Sequence, residues 1–365
     1  MSDPLVTLGV PVYRGQDILP VTLECLRAQT YTNLDVLISV DAADEASLEA
    51  AKPFLGDPRF RAHMQGSRLG WAGNTDWTIQ HRRGDFYIYQ QHDDQVSPTY
   101  VADLVEAAGR WPEAAICFSE MQLSGLQNRL VRAPSTLGDP IARALTHMKR
   151  LDASMLRGLI RGKALDRTDG LLMNDFEGFG SEYRFMAQLA LAGEFRFVKG
   201  PTYYKRLHGE NLHLKWYDWP EERKRLAWAA LAASMLEVIV PAGASLPERS
   251  GLFDTILDRF LVRRGPLSRI RDRSRSLYKR NRSVAATLLL AALDRLRSGG
   301  AFDAWIFPHA RPMLCRIDNA EQREAVARET IRRLRAGGRF DPTMLQSDWD
   351  RLQAAAIRRS AERGP

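Results

Sequence analysis

Two adjacent acids, Asp93 and Asp94, follow the short apolar run Phe86 to Tyr89 by way of Gln90, Gln91 and His92. An acid pair on a rigid mount can hold a hard divalent cation, Mn or Mg, whose remaining positions are filled by phosphate oxygens and water. Such a cation would neutralise a diphosphate as it departs. The plain alternative is a turn or a helix cap, where aspartate is common, and for an isolated Asp-Asp pair that reading stands first. A third acid, Asp41, closes another apolar run, Leu34 to Val40.

The surrounding elements decide whether these acids can meet. Leu5 to Val12 is short, apolar and rich in β-branched residues, as a buried parallel strand would be. Residues 17–28 carry Ile18, Leu19, Val21, Leu23 and Leu26 at spacings a covering helix would use. Leu34 to Val40, Phe86 to Tyr89 and Ala114 to Phe118 read as further strands, and 45–54, 73–82 and 99–109 as helices. Strands alternating with helices of about ten residues predict an α/β fold with a mostly parallel sheet. Ligands of such sheets bind beyond the carboxyl ends of the strands, where Asp41 and the Asp93-Asp94 pair would both stand. Two basic stretches around Arg143 to Arg161 read as helices that could frame an acceptor cleft, and a strand follows the turn at Gly193. From about residue 220 nearly every segment has helical periodicity, which predicts two domains, 1–220 and an all-α, basic 221–365.

Charge follows the same division. Residues 221–365 hold 28 Lys/Arg against 17 Asp/Glu, and residues 1–220 hold 24 against 27. Nine cations crowd Arg263 to Arg282 among Leu267, Ile270, Leu277 and Tyr278. That segment could meet an anionic membrane surface peripherally, or be a solvated helix face; no nucleic-acid motif accompanies it. Three separated cysteines, Cys25, Cys117 and Cys315, make neither a disulfide framework nor a zinc site. With no signal peptide and no membrane-length apolar run, the expectation is a cytoplasmic protein, at most peripheral to the inner membrane face. The helical tail could pair into a homo-oligomer.

The motifs taken together carry a resemblance. Val10-Pro11-Val12-Tyr13-Arg14-Gly15, then Thr22 to Tyr31, then Leu34 to Asp41, resemble the opening of the family-two glycosyltransferases, which have the GT-A fold. Arg68-Leu69-Gly70-Trp71-Ala72-Gly73-Asn74 resembles that family's next motif, and Gly84 to Ile88 leading to His92-Asp93-Asp94 resembles its metal-binding motif. The resemblance covers residues 6–110 in the family's order. It implies a nucleotide-sugar donor, UDP-linked first with GDP and dTDP left open, and a divalent metal. Pro11, Val12 and Tyr13 would line the base pocket, Asp41 would bind base or ribose, and Asn74 and Arg68 would lie near the nucleotide or diphosphate. Gln91 and His92 would stand beside the donor, with Asp93 the principal metal ligand and Asp94 its neighbour.

Two further segments resemble later parts of the family. In Asn174 to Phe185, counting back from Gly193 puts Glu182 where the catalytic base stands, with Glu177 and Asp175 as rivals. An inverting transfer needs such a carboxylate to take the acceptor hydroxyl's proton. Tyr203 to Asn211 resembles the Arg-x-His end of the catalytic domain, so Arg206 would contact the leaving diphosphate and His208 would complete the metal shell. One position departs from the family: Gln91 stands where a carboxylate is usual. That departure motivates a second reading, a nucleotide-sugar-binding scaffold without turnover. A nucleotidyltransferase is disfavoured, because no Gly-rich phosphate loop follows the first strand. The acceptor stays open among a saccharide, a lipid-linked glycan, a peptide and a small molecule.

Overall fold

Val6–Val12 (β1) and Leu34–Val40 (β2) are buried at every position, and strands with no solvent face belong inside a parallel sheet. They pair in parallel from Val6 opposite Leu34 to Val12 opposite Val40. The computed structural model describes residues 3–209 except Asp175, then Asn211, 215–220 and scattered positions from 227 to 248. The expected all-α region from 221 falls almost entirely outside the described residues, as do the basic segment from Arg263 to Arg282 and Cys315. The chain divides into two compact units, 1–214 and 215–365.

β2 carries a buried acid, Asp35, which recruits an edge strand that sequence periodicity passes over. Phe60–Met64 (β3) pairs in parallel with β2, and its Arg61 donates Nε to Asp35 Oδ1 at 2.6 Å. Thr7 Oγ1 of β1 donates to the other oxygen at 2.8 Å. On the other side of β1 lies Phe86–Tyr89 (β4), again parallel. Gly9 allows this closeness: a Cβ there would lie 2.4 Å from both Thr78 Oγ1 and the Tyr87 hydroxyl. Leu19–Arg27 (α1), Glu45–Ala51 (α2), Gly70–Gln80 (α3) and Tyr100–Arg110 (α4) make the crossovers and cover the faces.

Beyond β4 the sheet is no longer purely parallel. Its remaining strands are Gln95–Val96 (β5), Ala114–Gly125 (β6), Arg129–Val131 (β7), Leu159–Arg161 (β8) and Glu194–Leu207 (β9). The order is β3-β2-β1-β4-β8-β6-β9-β5, with β7 on β6. β8 is antiparallel to both β4 and β6, and β5 is antiparallel to β9. The sheet is therefore mixed, which corrects the mostly parallel expectation. It also corrects the second of the two helices expected around Arg143 to Arg161: Pro140–Arg150 (α5) is a helix, but the stretch closes in the strand β8. Leu159 and Ile160 are buried between β4 and β6, and Arg161 donates Nε to the Ala114 carbonyl at 3.1 Å. Three residues are too few for a period to show, and a basic side chain that folds over the strand ends looks like a solvated one in sequence. Among the described residues no helix is long and apolar enough to cross a membrane.

After the short Gly162–Leu165 (α6), the helix Ser181–Ala192 (α7) packs against α5. Arg143 of α5 donates Nε to the Ala190 carbonyl at 2.8 Å, capping the last turn of α7. His147 of α5 is buried, its ring centroid 4.3 Å from that of Phe195, with no partner at either nitrogen. Burial, then the nearby Arg150, pulls its pKa down to about 4. Between about pH 6.5 and 4 the unfolded chain therefore binds a proton that the folded chain refuses. This contribution to stability is complete above 6.5 and is lost as pH falls. We predict that urea unfolding at pH 7 and pH 4.5 differs by about 2–3 kcal/mol from this group. His147→Phe should lose correspondingly less over the same interval.

Candidate active site

The carboxyl ends of β1, β2 and β4 converge with the end of β9, and loops from these four ends build the site. After β1 the chain turns through Tyr13, Arg14 and Gly15. Asp44, at the start of α2, fixes this turn by accepting from Arg14 N at 2.6 Å, and Ser47 Oγ accepts from Gly15 N at 2.9 Å. Arg14 takes a left-handed φ of 53° here. Gly15 lets the next loop approach, since a Cβ would lie 2.7 Å from His92 Cδ2. Pro11 and Val12 are buried in β1 just before the turn. The Tyr13 ring lies at the rim, with the Arg68 guanidinium 3.8 Å from its centroid and that of Arg14 at 5.2 Å.

Asp41 and Asn74 have inward tasks. Asp41 Oδ1 accepts from Leu69 N at 2.8 Å and Ala42 N at 3.0 Å, and Oδ2 accepts from Gly70 N at 3.0 Å. The carboxylate thus ties the end of β2 to the first turn of α3, where helix amides lack partners. Asn74, 2% exposed, donates Nδ2 to the Ser39 carbonyl at 2.9 Å and accepts Ser39 Oγ at 2.5 Å. Its amide is spent within the scaffold.

The loop from Gln90 to Asp94 is clamped from below. Gln90 Nε2 donates to the carbonyls of Gln91 at 3.0 Å and Asp94 at 2.9 Å. Thr22 Oγ1 of α1 reaches the His92 carbonyl at 2.8 Å and the Asp94 carbonyl at 3.1 Å. The β5–β9 register, Gln95 opposite Tyr204 and Val96 opposite Tyr203, carries the end of β9 back past this loop. It brings His208 Nε2 to 2.9 Å from Asp93 Oδ2, with Asn211 Nδ2 at 3.1 Å from the same nitrogen.

The two acids of the pair face opposite ways. Asp94 is buried; its Oδ2 accepts from the Tyr203 hydroxyl at 2.9 Å and its Oδ1 from Arg206 N at 2.9 Å. Burial pushes its carboxyl above the usual range. Asp93 opens outward with His208, their side chains 13% and 35% exposed. Burial opposes its ionisation, but His92, His208 and Lys205 together hold its carboxyl below the usual range. Among the described residues no group of three or more His, Cys, Asp or Glu is arranged to hold a metal. Of the side chains expected to form a metal shell, Asp93 and His208 are the two that meet, at 2.9 Å.

Gln91 stands over two cations that the motifs did not single out. Its Oε1 accepts from Lys205 Nζ at 2.6 Å and from Arg157 Nη2 at 2.9 Å. Lys205 also lies 3.8 Å from Asp94 Oδ2. Burial draws the Lys205 ammonium below the ordinary lysine range, with Asp94 opposing. Arg206 contributes its backbone amide to Asp94, while its side chain lies on the exposed face of β9. A period-two reading of Tyr203-Tyr204-Lys205-Arg206 as strand would have put Tyr203 and Lys205 on one face. Arg157, in a short 3-10 turn, offered no comparable signal.

Glu182 stands in the first turn of α7, after a loop organised by Asn174. Asn174 Oδ1 accepts from Phe176 N at 2.9 Å and Gly178 N at 3.1 Å, and its Nδ2 donates to the Phe179 carbonyl at 3.0 Å. Glu177 takes a left-handed φ of 54°, and its carbonyl accepts from Trp71 Nε1 at 2.9 Å. Asp175 lies outside the described residues. The Glu182 oxygen Oε2 is buried and has no hydrogen-bond partner. Burial pushes this carboxyl up to about 7, against the helix amide and the Arg157 charge.

With this geometry in view, comparison places the chain among known proteins. The sequence profile of "Glycosyl transferase family 2" matches residues 7–171. A putative glycosyltransferase EpsH of Bacillus subtilis is 26% identical over 225 residues, covering 57% of this chain and 62% of that protein. The chondroitin synthase of Escherichia coli is 24% identical over 225 residues, 60% of this chain and 31% of the synthase. The chain thus spans at most about three fifths of the length of these relatives. Residues 1–349 of Staphylococcus aureus TarS, solved with UDP-GlcNAc, share the fold at a TM-score of 0.60 and 13% identity, covering 92% of this chain and 93% of that one.

The division of labour within the acid pair yields a prediction. Asp94→Ala would leave the Tyr203 hydroxyl, the Arg206 amide and a buried ammonium without their anion. We expect a loss of roughly 3–5 kcal/mol in urea unfolding. Asp93→Ala, which removes one hydrogen bond to the partly exposed His208, should cost less than Asp94→Ala. Equal losses would contradict the assigned orientations.

Proposed function

We propose that the N-terminal unit, whose residues 7–171 match the profile of glycosyl transferase family 2, moves a sugar from a nucleotide diphosphate, UDP first, to an acceptor hydroxyl with inversion. The observation that carries this reading is the buried Glu182 carboxyl, whose Oε2 has no partner and whose pKa burial pushes up to about 7. A general base works best when its pKa lies near the working pH.

In this reading Glu182 takes the proton of the acceptor hydroxyl as the hydroxyl oxygen attacks the anomeric carbon. The bond from that carbon to the diphosphate breaks on the opposite face, and its electron pair leaves with the diphosphate. No sugar–enzyme bond forms. Tyr13, with Arg68 over its ring, offers an aromatic surface at the base pocket, and Asp41 holds the start of α3 in place beside it. An oxygen–nitrogen set of Asp93 and His208 fits a hard divalent cation, the donor phosphates supplying further ligands. Such an ion, when bound, would add positive charge where the diphosphate leaves. Lys205 and Arg157 lie beneath the same loop and contribute in the same sense. UDP is favoured because TarS, which shares the fold, was solved with UDP-GlcNAc.

Gln91 supports the second reading, a binding protein without turnover. Nucleotide-sugar binding without hydrolysis or transfer would favour it.

We predict that Glu182→Gln lowers transfer by at least about a hundredfold while UDP-sugar binding by calorimetry persists. In the wild type kcat/KM should fall about tenfold per pH unit below roughly 7 and level off above it. A profile flat from pH 5 to 8 would remove Glu182 as the base. A separate expectation concerns the metal: stabilisation by UDP-GlcNAc in thermal unfolding should shrink when manganese is replaced by EDTA, and Asp93→Ala should abolish the difference.

A further inference from the structure

One neutral oxygen, Gln91 Oε1, bridges two cations: it accepts from Lys205 Nζ at 2.6 Å and from Arg157 Nη2 at 2.9 Å. The Arg157 guanidinium lies 4.8 Å from the centroid of the Tyr89 ring at the end of β4. Lys205 follows Tyr203 by the period that puts both on one face of β9. Tyr203 ties that face to the turn, its hydroxyl donating to Asp94 Oδ2 at 2.9 Å and accepting from Gln91 N at 3.4 Å. The cations outnumber the carboxylate beneath the turn. Asp94 Oδ2 is 3.8 Å from Lys205 Nζ, beyond hydrogen-bond reach, and its two oxygens are already taken by Tyr203 and by Arg206 N. Asp93 is engaged with His208 at 2.9 Å.

Donors are in excess here as well as charge. An ammonium carries three N–H groups and a guanidinium five, and Gln91 accepts one from each. Arg157 Nε–H has no partner, and the Lys205 side chain is 16% exposed, so Lys205 is open to a ligand. A carboxylate at position 91 would pair with both cations and cancel their charge, and a divalent ion would then have to supply it. The amide holds the cations in place and leaves their charge free. We propose that Lys205 and Arg157, held by Gln91, are the chain's own counter-charge for the donor's diphosphate, and that Gln91 makes nucleotide-diphosphate binding only weakly dependent on a divalent cation. This rests on the glycosyl-transfer reading above and deepens it. Lys205 donates to a phosphate oxygen, as ammonium groups commonly do. Arg157 is a positioning residue that acts through Gln91 and through its charge.

The test is calorimetry of UDP binding to the full chain, in EDTA and in manganese, and needs no turnover. The factor by which manganese tightens UDP is also the factor by which UDP tightens manganese, so one ratio measures the dependence. In the wild type that ratio should stay below about tenfold, the scale of one charged hydrogen bond. Gln91→Glu keeps the length of the side chain and pairs with both cations, so the turn keeps its contacts. Its UDP affinity in EDTA should fall by at least about tenfold, and manganese should restore it to within about threefold of wild type. A merely structural lesion would weaken UDP equally in both buffers; that result, or an unchanged affinity in EDTA, overturns the inference. Lys205→Met should lose at least about tenfold in EDTA, and a folded variant that loses nothing refutes the phosphate contact. Where Lys205→Met fails to fold, Gln91→Glu decides alone. Wild type whose UDP affinity rises more than about tenfold with manganese overturns the inference and leaves the transfer reading standing. Wild type that binds none of UDP, GDP and dTDP in either buffer removes that reading, and this inference with it.

Discussion

Beneath the turn from Gln91 to Asp94 two cations, Arg157 and Lys205, share a largely dry space with one carboxylate, Asp94. Removing an ion from water costs several kcal/mol even after relaxation, and the cost is met only by close, well-aimed partners. Here the partners are the Gln91 amide oxygen for both cations, and the Tyr203 hydroxyl and Arg206 amide for Asp94. Moving the turn would uncover all of them at once. The turn is therefore held from below by electrostatics and from the side by Thr22 and Gln90, and Asp93 projects from a mount with little freedom.

This arrangement gives a physical account of Gln91. A carboxylate at that position would place a third negative charge beside Asp93 and Asp94. The amide instead offers a neutral oxygen that accepts from both cations at once. The buried group then carries more positive than negative charge directly under the place proposed for a departing diphosphate. Preorganised charge in a water-poor setting stabilises developing negative charge without reorganising when the bond breaks. In the proposed reaction Gln91 would shift part of the neutralising task from a bound ion to the chain's own cations.

The sequence made the frame legible where burial is two-sided. β1, β2 and β4 are continuous apolar runs, and Asp41 and Asp93 follow directly from where those runs end. It was silent on β3 and β8, whose polar residues have partners that only tertiary structure reveals: Arg61 needs Asp35, and Arg161 needs the ends of α4 and β6. Within the site, the types and spacing of Asp93, Glu182 and His208 were readable, but their environments were not. Nothing local distinguishes the buried Asp94 from the outward Asp93, because their difference comes from a strand more than a hundred residues later. Arg157 and Lys205 were hidden for the same reason. In a chain rich in arginine, a buried cation looks like an exposed one until its partners are known.

Glu182 bears most directly on whether the domain is an enzyme or a scaffold. A carboxyl in the first turn of a helix ordinarily gains from the free amides there and ionises easily. In this chain burial outweighs that gain and pushes the group's pKa up to about 7, with its Oε2 unpaired. For a protein that only binds nucleotide sugar, this is a stability loss with no return, since a leucine or glutamine of similar size would pack there at lower cost. For a transferase it is a ground-state strain that disappears when a hydroxyl enters, and that strain supplies the driving force for taking the proton. Gln91 has a structural explanation that is neutral between the two readings. The unpaired Glu182 oxygen has one only in the catalytic reading, and the balance therefore falls toward transfer.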